Sequence, residues 1–221
     1  EILEELDFTT PESVSSRELV TVKLNKYGFE SHWADTLMHT LQTLTVARIP
    51  GEFGGFTLGD IPNEMRLNEM EFYFPLRYTS PETLADAFRG MTPQADRPPE
   101  ELYRALRFQP CEGLVRGFID CVFLHGNRYY LVDWKSNHLG NRPEDYTPVQ
   151  LREAMERHYY TLQYHLYTVA LHQYLTLRVP DYDYDRHFGG VLYVFLRGVN
   201  GESDGDTGFF YDLPAREMVE G

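Results

Sequence analysis

The sequence has little cysteine and no long apolar stretch. Its two cysteines, Cys111 and Cys121, are too few for a disulfide framework or for a four-ligand zinc site of their own. We therefore expect a reducing, cytoplasmic setting. No apolar run approaches the roughly 18 residues that suggest a membrane-spanning helix. The Gly-x-x-x-x-Gly-Lys phosphate loop is also missing, so an ATP-driven motor is not expected within these residues.

Basic residues are also scarce. The 221 residues include 20 Lys and Arg against 34 Asp and Glu, which gives a net charge of −14. Taken alone, this balance argues against a partner that is itself a polyanion, such as DNA. The length is typical of one domain, or of one domain with additions.

Helix and strand signals alternate along the chain. Ser15 or Ser16 can cap a helix that runs to about Lys26, and Ser31 can cap a second helix that ends before Pro50. The other predicted elements are a strand over 67–76, short helices over 80–90 and 100–107, a loop over 91–99, a β-hairpin over 113–135 and a strand over 190–196. Residues 209–221 show no clear pattern. This order indicates an α/β protein.

The longest predicted element follows the hairpin. Thr147-Pro148 has the composition of a helix start, and we predict one continuous helix from there to Arg178, about 45 Å long at 1.5 Å per residue. Within it, Gln163 and Tyr167 are four residues apart, which places both on one face.

The hairpin carries the first chemical signal. Gly126-Asn127 is a two-residue turn signal, and a turn centred there places Asp120 directly opposite Asp133. Directly opposed side chains on neighbouring strands have Cβ atoms about 4.5–5.5 Å apart. Lys135 lies two residues beyond Asp133 and therefore projects from the same face.

Two opposed carboxylates repel each other unless a cation lies between them or a pKa rises. The flanking residues are apolar, which favours a buried site. Hard oxygen ligands suit Mg²⁺ or Mn²⁺ better than zinc, and a neighbouring ammonium can hold a phosphate oxygen or orient a water. The alternative is an ordinary hairpin in which Lys135 pairs with Asp133 at a solvated face.

These residues resemble the PD-(D/E)xK nuclease superfamily and, within it, the nuclease domains of the exodeoxyribonuclease V beta subunit (RecB) family. The matching strings are 6–8, 69–73, 117–120, 130–137, 162–167, 182–184 and 187–190. The resemblance implies a restriction-endonuclease-like αβββαβ core, with a mixed central sheet flanked by helices and extra N-terminal helices. It further implies that residues 1–66 form the N-terminal helical part, with the first core helix truncated, and that residues 67–221 form the nuclease core.

The resemblance also implies a metal site. Asp120 and Asp133 match the metal-binding aspartates of the family, and the main-chain carbonyl of Trp134 lies where the family has another metal ligand. Lys135 matches the catalytic lysine. The implied cofactor is Mg²⁺, with Mn²⁺ or Ca²⁺ as possible occupants of the same site.

Further site residues follow from the same resemblance. Glu69 matches the acidic residue of the first core strand, and Glu71 has the same parity and stays an alternative. Gln163 and Tyr167 match a motif on the long helix. The implied catalytic set is Asp133, Lys135, Glu69, Gln163 and Tyr167.

Two departures from the family pattern stand out. The family usually has tyrosine at the position of Trp134, which matters little if only the carbonyl binds metal. A metal-binding histidine of the family would fall immediately before Glu1, and His39 is no substitute because its surroundings do not match. We therefore expect a fragment of a longer polypeptide whose metal site is one ligand short.

The function implied by the resemblance is metal-dependent hydrolysis of DNA phosphodiester bonds by a RecBCD-type helicase-nuclease, during double-strand-break processing and recombinational repair. The implied partners are DNA, RecC-like and RecD-like subunits and an upstream helicase part of the same polypeptide, with no membrane. The acidic groups of the site would face cations, and the remaining negative charge predicts weak DNA binding by this chain alone. The alternative is a catalytically impaired nuclease fold that serves as a docking module.

Overall fold

A mixed β-sheet organises the chain. The computed structural model describes residues 1–52, 55–89, 99–107, 109, 111–201 and 207–220. Within these residues the sheet has five strands in the order β1-β2-β3-β4-β5. The strands are β1 Arg66–Thr79, β2 Cys111–His125, β3 Arg128–Lys135, β4 Phe188–Phe195 and β5 Phe209–Asp212.

Strand directions follow the connections between the strands. The first three strands form an antiparallel meander, β4 runs parallel to β3 after a helical crossover, and β5 is antiparallel to β4. Parallel neighbours need such a crossover because a tight turn reverses the chain. The expected restriction-endonuclease-like α/β core, with a mixed central sheet flanked by helices, is confirmed.

Helices cover both faces of this sheet. The α-helices are α1 Ile2–Glu5, α2 Val14–Lys26, α3 Trp33–Val46, α4 Pro81–Ala87, α5 Pro99–Arg104, α6 Pro148–Arg157, α7 Tyr160–Arg178, α8 Tyr184–His187 and α9 Arg216–Glu220. Short 3-10 turns occur at Leu58–Asp60, Asn63–Met65 and Pro143–Tyr146. No helix in the described part of the chain combines the length and apolar character needed to cross a membrane.

Two apolar cores lie on opposite faces of the sheet. On one face, α2 and α3 pack on residues that include Cys121, Phe123 and Val132. On the other face, α6 and α7 pack on residues that include Ile119 and Leu131. Every residue of β4 is buried, as expected of a strand covered on both faces.

The predicted hairpin forms with the predicted register. Gly126 and Asn127 have φ values of 56° and 63°, the pair of left-handed residues that a type I′ turn requires. The ladder runs inward from the His125–Arg128 pair to the Cys121–Val132 pair. Asp120 and Asp133 are the next two residues in this register.

The prediction of one continuous helix from Pro148 to Arg178 is wrong. The helix breaks after Arg157, and Tyr159 takes a left-handed conformation with φ 56° before α7 begins at Tyr160. The break lets α6 and α7 each bury an apolar face against the same side of the sheet. Tertiary packing here outweighs the helical propensity of the uninterrupted sequence.

Other differences are smaller. The tail without a clear pattern forms β5 and α9, and α8 was not predicted. Ser13, rather than Ser15 or Ser16, caps α2, and β4 begins two residues before the predicted Gly190. The predicted stop at Gly90, and the predicted loop up to residue 98, lie outside the described residues.

Candidate functional site

The two aspartates lie where the β2–β3 ladder ends. The Asp133 side chain is almost inaccessible, since the residue is 3% exposed, whereas Asp120 is half-buried. The Asp120 carboxylate oxygen Oδ2 accepts a hydrogen bond of 2.8 Å from the main-chain N–H of Trp134. Asp120 is therefore fixed against the residue that follows Asp133, and the two carboxylates share one end of the hairpin.

Lys135 pairs with Asp133 inside the protein. The Nζ–Oδ2 distance is 2.6 Å, and the lysine side chain is only 11% exposed. The pair predicted by the ordinary-hairpin alternative therefore exists, but at a buried position and not at a solvated face. Burial raises the pKa of Asp133 to about 6, opposed by the Lys135 ammonium and reinforced by the Asp120 charge.

Gln163 and Tyr167 of α7 extend this pair. Lys135 Nζ donates to Gln163 Oε1 at 3.0 Å, and Gln163 Nε2 donates to the Tyr167 hydroxyl oxygen at 2.7 Å. The predicted placement of both residues on one helix face is thus observed, and the glutamine contacts the lysine directly. The Tyr167 ring packs edge-on against Phe72 of β1, with the ring centroids 5.5 Å apart.

Two tyrosines outside the implied catalytic set also contact this network. The Tyr160 ring centroid lies 3.8 Å from Lys135 Nζ, and the Tyr193 hydroxyl donates to Gln163 Oε1 at 3.0 Å. Tyr160 precedes Gln163 by three residues on α7, and this helical spacing is the signal that could have identified it. Tyr193 lies beside Asp133 only because β3 and β4 are parallel neighbours, which the sequence does not reveal.

The two candidate glutamates, Glu69 and Glu71, have different surroundings in the structure. Glu69 lies on β1, between residues that pair with Ile119 and Cys121 of β2. Its register neighbour is therefore Asp120. It is exposed and has a left-handed backbone, with φ 50°. Glu69 therefore lies at the edge of the site and not among its buried groups.

Glu71 takes part in a surface ion pair. Its carboxylate accepts hydrogen bonds from Arg116 and from the Tyr73 hydroxyl, each at 2.6 Å. These hydrogen bonds, with the tyrosine contributing most, lower the pKa of Glu71. Glu71 is thus already engaged with a cation, which makes Glu69 the better candidate of the two.

Trp134 contributes main chain to the site and side chain to the core. Its indole packs edge-on against Phe8, with ring centroids 6.2 Å apart, on the face covered by the N-terminal helices. Its main-chain N–H points across to β2, where it donates to Asp120. The Trp134 side chain therefore affects packing on the face of the sheet opposite to the Asp133 carboxylate.

The oxygen atoms of Asp120 and Asp133 are of the type that a hard divalent cation prefers, but the described part of the site has few such ligands. Two carboxylates on neighbouring strands are oxygen ligands of the kind that Mg²⁺ prefers. Within the described residues, however, no group of three or more His, Cys, Asp or Glu side chains is arranged to hold a metal. The residues that would hold an ion are Asp120 and Asp133.

Comparison with known proteins identifies the family. No family model matches the chain. It is similar to the RecBCD enzyme subunit RecB of Escherichia coli, with 42% identity over 201 residues, which cover 91% of this chain and 16% of that protein. It is also similar to the subunit of the same name from Haemophilus influenzae, with 41% identity over 187 residues, covering 85% of this chain and 15% of that protein. The chain thus spans about one sixth of the length of these relatives, and it belongs to the RecB family.

Proposed function

We propose that this chain is a metal-dependent DNA nuclease module that hydrolyses phosphodiester bonds. The observation that carries the proposal is the buried Lys135–Asp133 pair, placed beside Asp120 at the end of the hairpin. A structural ion pair gains little from burial, because desolvation of both charges offsets their attraction. A buried lysine beside two carboxylates is instead typical of a functional site.

Each residue of the network has a definite task in this proposal. Asp120 and Asp133 hold the cation, and the Lys135 ammonium orients the attacking water or offsets negative charge on the phosphate. Gln163 fixes the direction of the lysine, and Tyr167 fixes the glutamine. Glu69, exposed at the rim beside Asp120, is proposed as a catalytic residue at the edge of the site and not as a ligand of the ion.

The proposed ion is Mg²⁺, with Mn²⁺ or Ca²⁺ able to occupy the same oxygen ligands. A bound divalent cation supplies stabilisation of charge on a non-bridging phosphate oxygen and lowers the pKa of a nearby water. Its positive charge would also offset the repulsion between the two carboxylates, of which only Asp133 is already paired with Lys135.

We further propose the setting of the activity. The relatives are named as subunits of the RecBCD enzyme, so we place this chain in a cytoplasmic helicase-nuclease complex with RecC-like and RecD-like subunits. The substrate would be DNA at a broken end. With a net charge of −14, the chain is expected to depend on these partners for delivery of the polyanionic strand.

The test is cleavage of linear DNA by the native full-length polypeptide, with and without Mg²⁺. Asp120→Asn and Lys135→Gln are each expected to lower the Mg²⁺-dependent rate by about a hundredfold or more. Lys23→Gln serves as the matched control, because Lys23 forms ion pairs with Glu1 and Glu5 near the N-terminus. Cleavage at the normal rate by either site variant would contradict the proposal.

A second candidate, a nuclease fold that only docks in the complex, is favoured by one observation: the described residues offer no three-ligand acidic group. Thermal unfolding in a Mg²⁺ titration separates the two functions. A ligand at a hundred times its Kd stabilises the folded state by about 2.7 kcal/mol. If the chain is a nuclease module, Mg²⁺ should stabilise it and raise its Tm, and Asp120→Asn should remove this rise. If the chain is a docking module, Mg²⁺ should not change its Tm.

A further inference from the structure

Two tyrosine rings face the Lys135 ammonium, and the proposed chemistry uses neither. Lys135 Nζ lies 3.8 Å from the centroid of the Tyr160 ring and 4.9 Å from that of the Tyr193 ring. The two ring centroids are 5.8 Å apart. A cation within about 6 Å of a ring face is attracted by the ring's quadrupole, so both rings contribute to holding this charge.

The helix break places the first ring. Tyr160 is the first residue of α7 and follows the left-handed Tyr159. Its hydroxyl donates to Asn137 Oδ1 at 3.2 Å, which ties the start of α7 to the segment that follows β3. A non-glycine residue in the left-handed region is unfavourable and persists only where its surroundings impose it. The contacts of Tyr160 with Lys135 and Asn137 are part of those surroundings.

The strand crossover places the second ring. Tyr193 of β4 pairs with Asp133 across the parallel ladder and is fully buried. Burial holds the pKa of the Tyr193 phenol well above its usual range, so the hydroxyl remains a hydrogen-bond donor. It donates to the same oxygen of Gln163 that accepts from Lys135. Two donors on one oxygen fix which way the amide points, since the reversed amide would present N–H groups to both.

Within the part of the chain that the structure describes, these contacts leave the lysine one N–H group to donate. An ammonium has three N–H groups, and Asp133 and Gln163 accept two of them among the described contacts. The rings attract the charge without accepting a particular N–H, so the third remains for a phosphate oxygen or a water. Attraction from the rings, combined with directional bonds to two acceptors, sets where that third N–H points.

We infer that Tyr160 and Tyr193 are positioning residues that form an aromatic cage around Lys135, Tyr160 through its ring and Tyr193 through both its ring and its hydroxyl bond to Gln163. The cage is the pair of rings together with the ammonium between them. Its role in orienting the lysine for phosphodiester hydrolysis rests on the proposed function. The existence of the cage does not rest on the proposed function, and it can be tested without measuring nuclease activity.

Lysine NMR tests the cage directly, because the chain has only three lysines: Lys23, Lys26 and Lys135. In protein labelled with ¹³C-lysine, the ε-CH₂ signal of Lys135 should lie upfield of that of Lys23, because ring currents shield groups above an aromatic face. Tyr160→Leu should move the Lys135 signal towards the Lys23 position, and Tyr160→Phe should leave it upfield. A Lys135 signal at the Lys23 position in the unmodified protein would refute the cage, and this measurement requires no variant.

Kinetics test the positioning role. Tyr160→Leu should lower kcat for Mg²⁺-dependent cleavage by about tenfold and leave KM unchanged, and Tyr160→Phe should restore kcat. Tyr174→Leu is the matched control, because Tyr174 lies on the same helix and is exposed. Loss of kcat in Tyr160→Leu with an unmoved Lys135 signal would overturn the positioning role.

Tyr193→Phe separates the ring from the hydroxyl. This variant keeps the ring, so the Lys135 signal should stay upfield, while kcat falls because Gln163 loses one of the two donors that orient it. Unchanged kcat would refute the role of the hydroxyl. If the full-length polypeptide cleaves no DNA but the Lys135 signal of this chain is upfield, the proposed function fails and the cage stands.

Discussion

The buried carboxyl of Asp133 predicts how the stability of the metal-free protein depends on pH. Its ordinary pKa is 3.8, and burial raises the pKa to about 6 in the folded chain. Between these two values the unfolded chain has lost the proton and the folded chain keeps it. Stability from this group is therefore fully present below pH 3.8 and is lost as the pH rises to about 6.

The magnitude follows from the size of the pKa rise. One pKa unit corresponds to about 1.36 kcal/mol, so the rise from 3.8 to about 6 corresponds to about 3 kcal/mol. That is a large part of the roughly 5–15 kcal/mol by which native proteins are stable. A bound cation would favour the ionised carboxylate and oppose this loss.

The measurement is urea unfolding in EDTA from about pH 4 to about pH 8, on the unmodified protein and on Asp133→Asn. The variant keeps the shape of the side chain and removes its titration, so the other carboxylates cancel in the difference between the two proteins. The free energy of unfolding of the unmodified protein, relative to the variant, should fall by about 2 kcal/mol between pH 4 and about pH 7, since part of the effect is already lost at pH 4, and stay level above pH 7. A difference that is flat across this interval, or that rises with pH, would refute the reasoning.

Two further predictions concern the hairpin turn at Asn127 and the packing of β2 against β1 at Gly117. Asn127→Ala should destabilise the protein by about 1 kcal/mol, because alanine tolerates the left-handed turn position poorly, and Asn127→Gly should not; urea midpoints measure both. Gly117→Ala should cost about 1–3 kcal/mol by overpacking, since its Cβ would lie 2.4 Å from the Phe72 ring. Gly113→Ala on the same strand has no atom within 4 Å of the new Cβ and is the control, so an equal loss of Tm in both would contradict the packing argument.

Much of the hairpin could be predicted because its information is local. A two-residue turn signal and a period of two determine which residues face each other, and the observed register follows from Gly126-Asn127. The position of Lys135 beside Asp133 follows from the same period. The contact of Gln163 with Lys135 was implied only by resemblance to a nuclease family.

The elements that escaped prediction depend on distant contacts. Nothing near Tyr159 marks a helix break, and the break follows from the fit of α6 and α7 to one face of the sheet. The strand β5 forms because β4 offers it an edge. The periodicity of apolar residues in a segment does not reveal which distant segments will pack against it.

By itself, the sequence determined the hairpin register, and with it the meeting of two carboxylates and a lysine, because neighbours in the chain fix those positions. Only the tertiary structure decided that Glu71 would pair with Arg116 at the surface, and that two tyrosines would close around the lysine. The burial of Lys135 and its contacts with the two rings come from α7 and β4, which are distant from the hairpin along the chain. The crossover between the parallel strands β3 and β4 brings both elements to the site. The chemistry of the site is thus local in sequence, and its environment is a product of the fold.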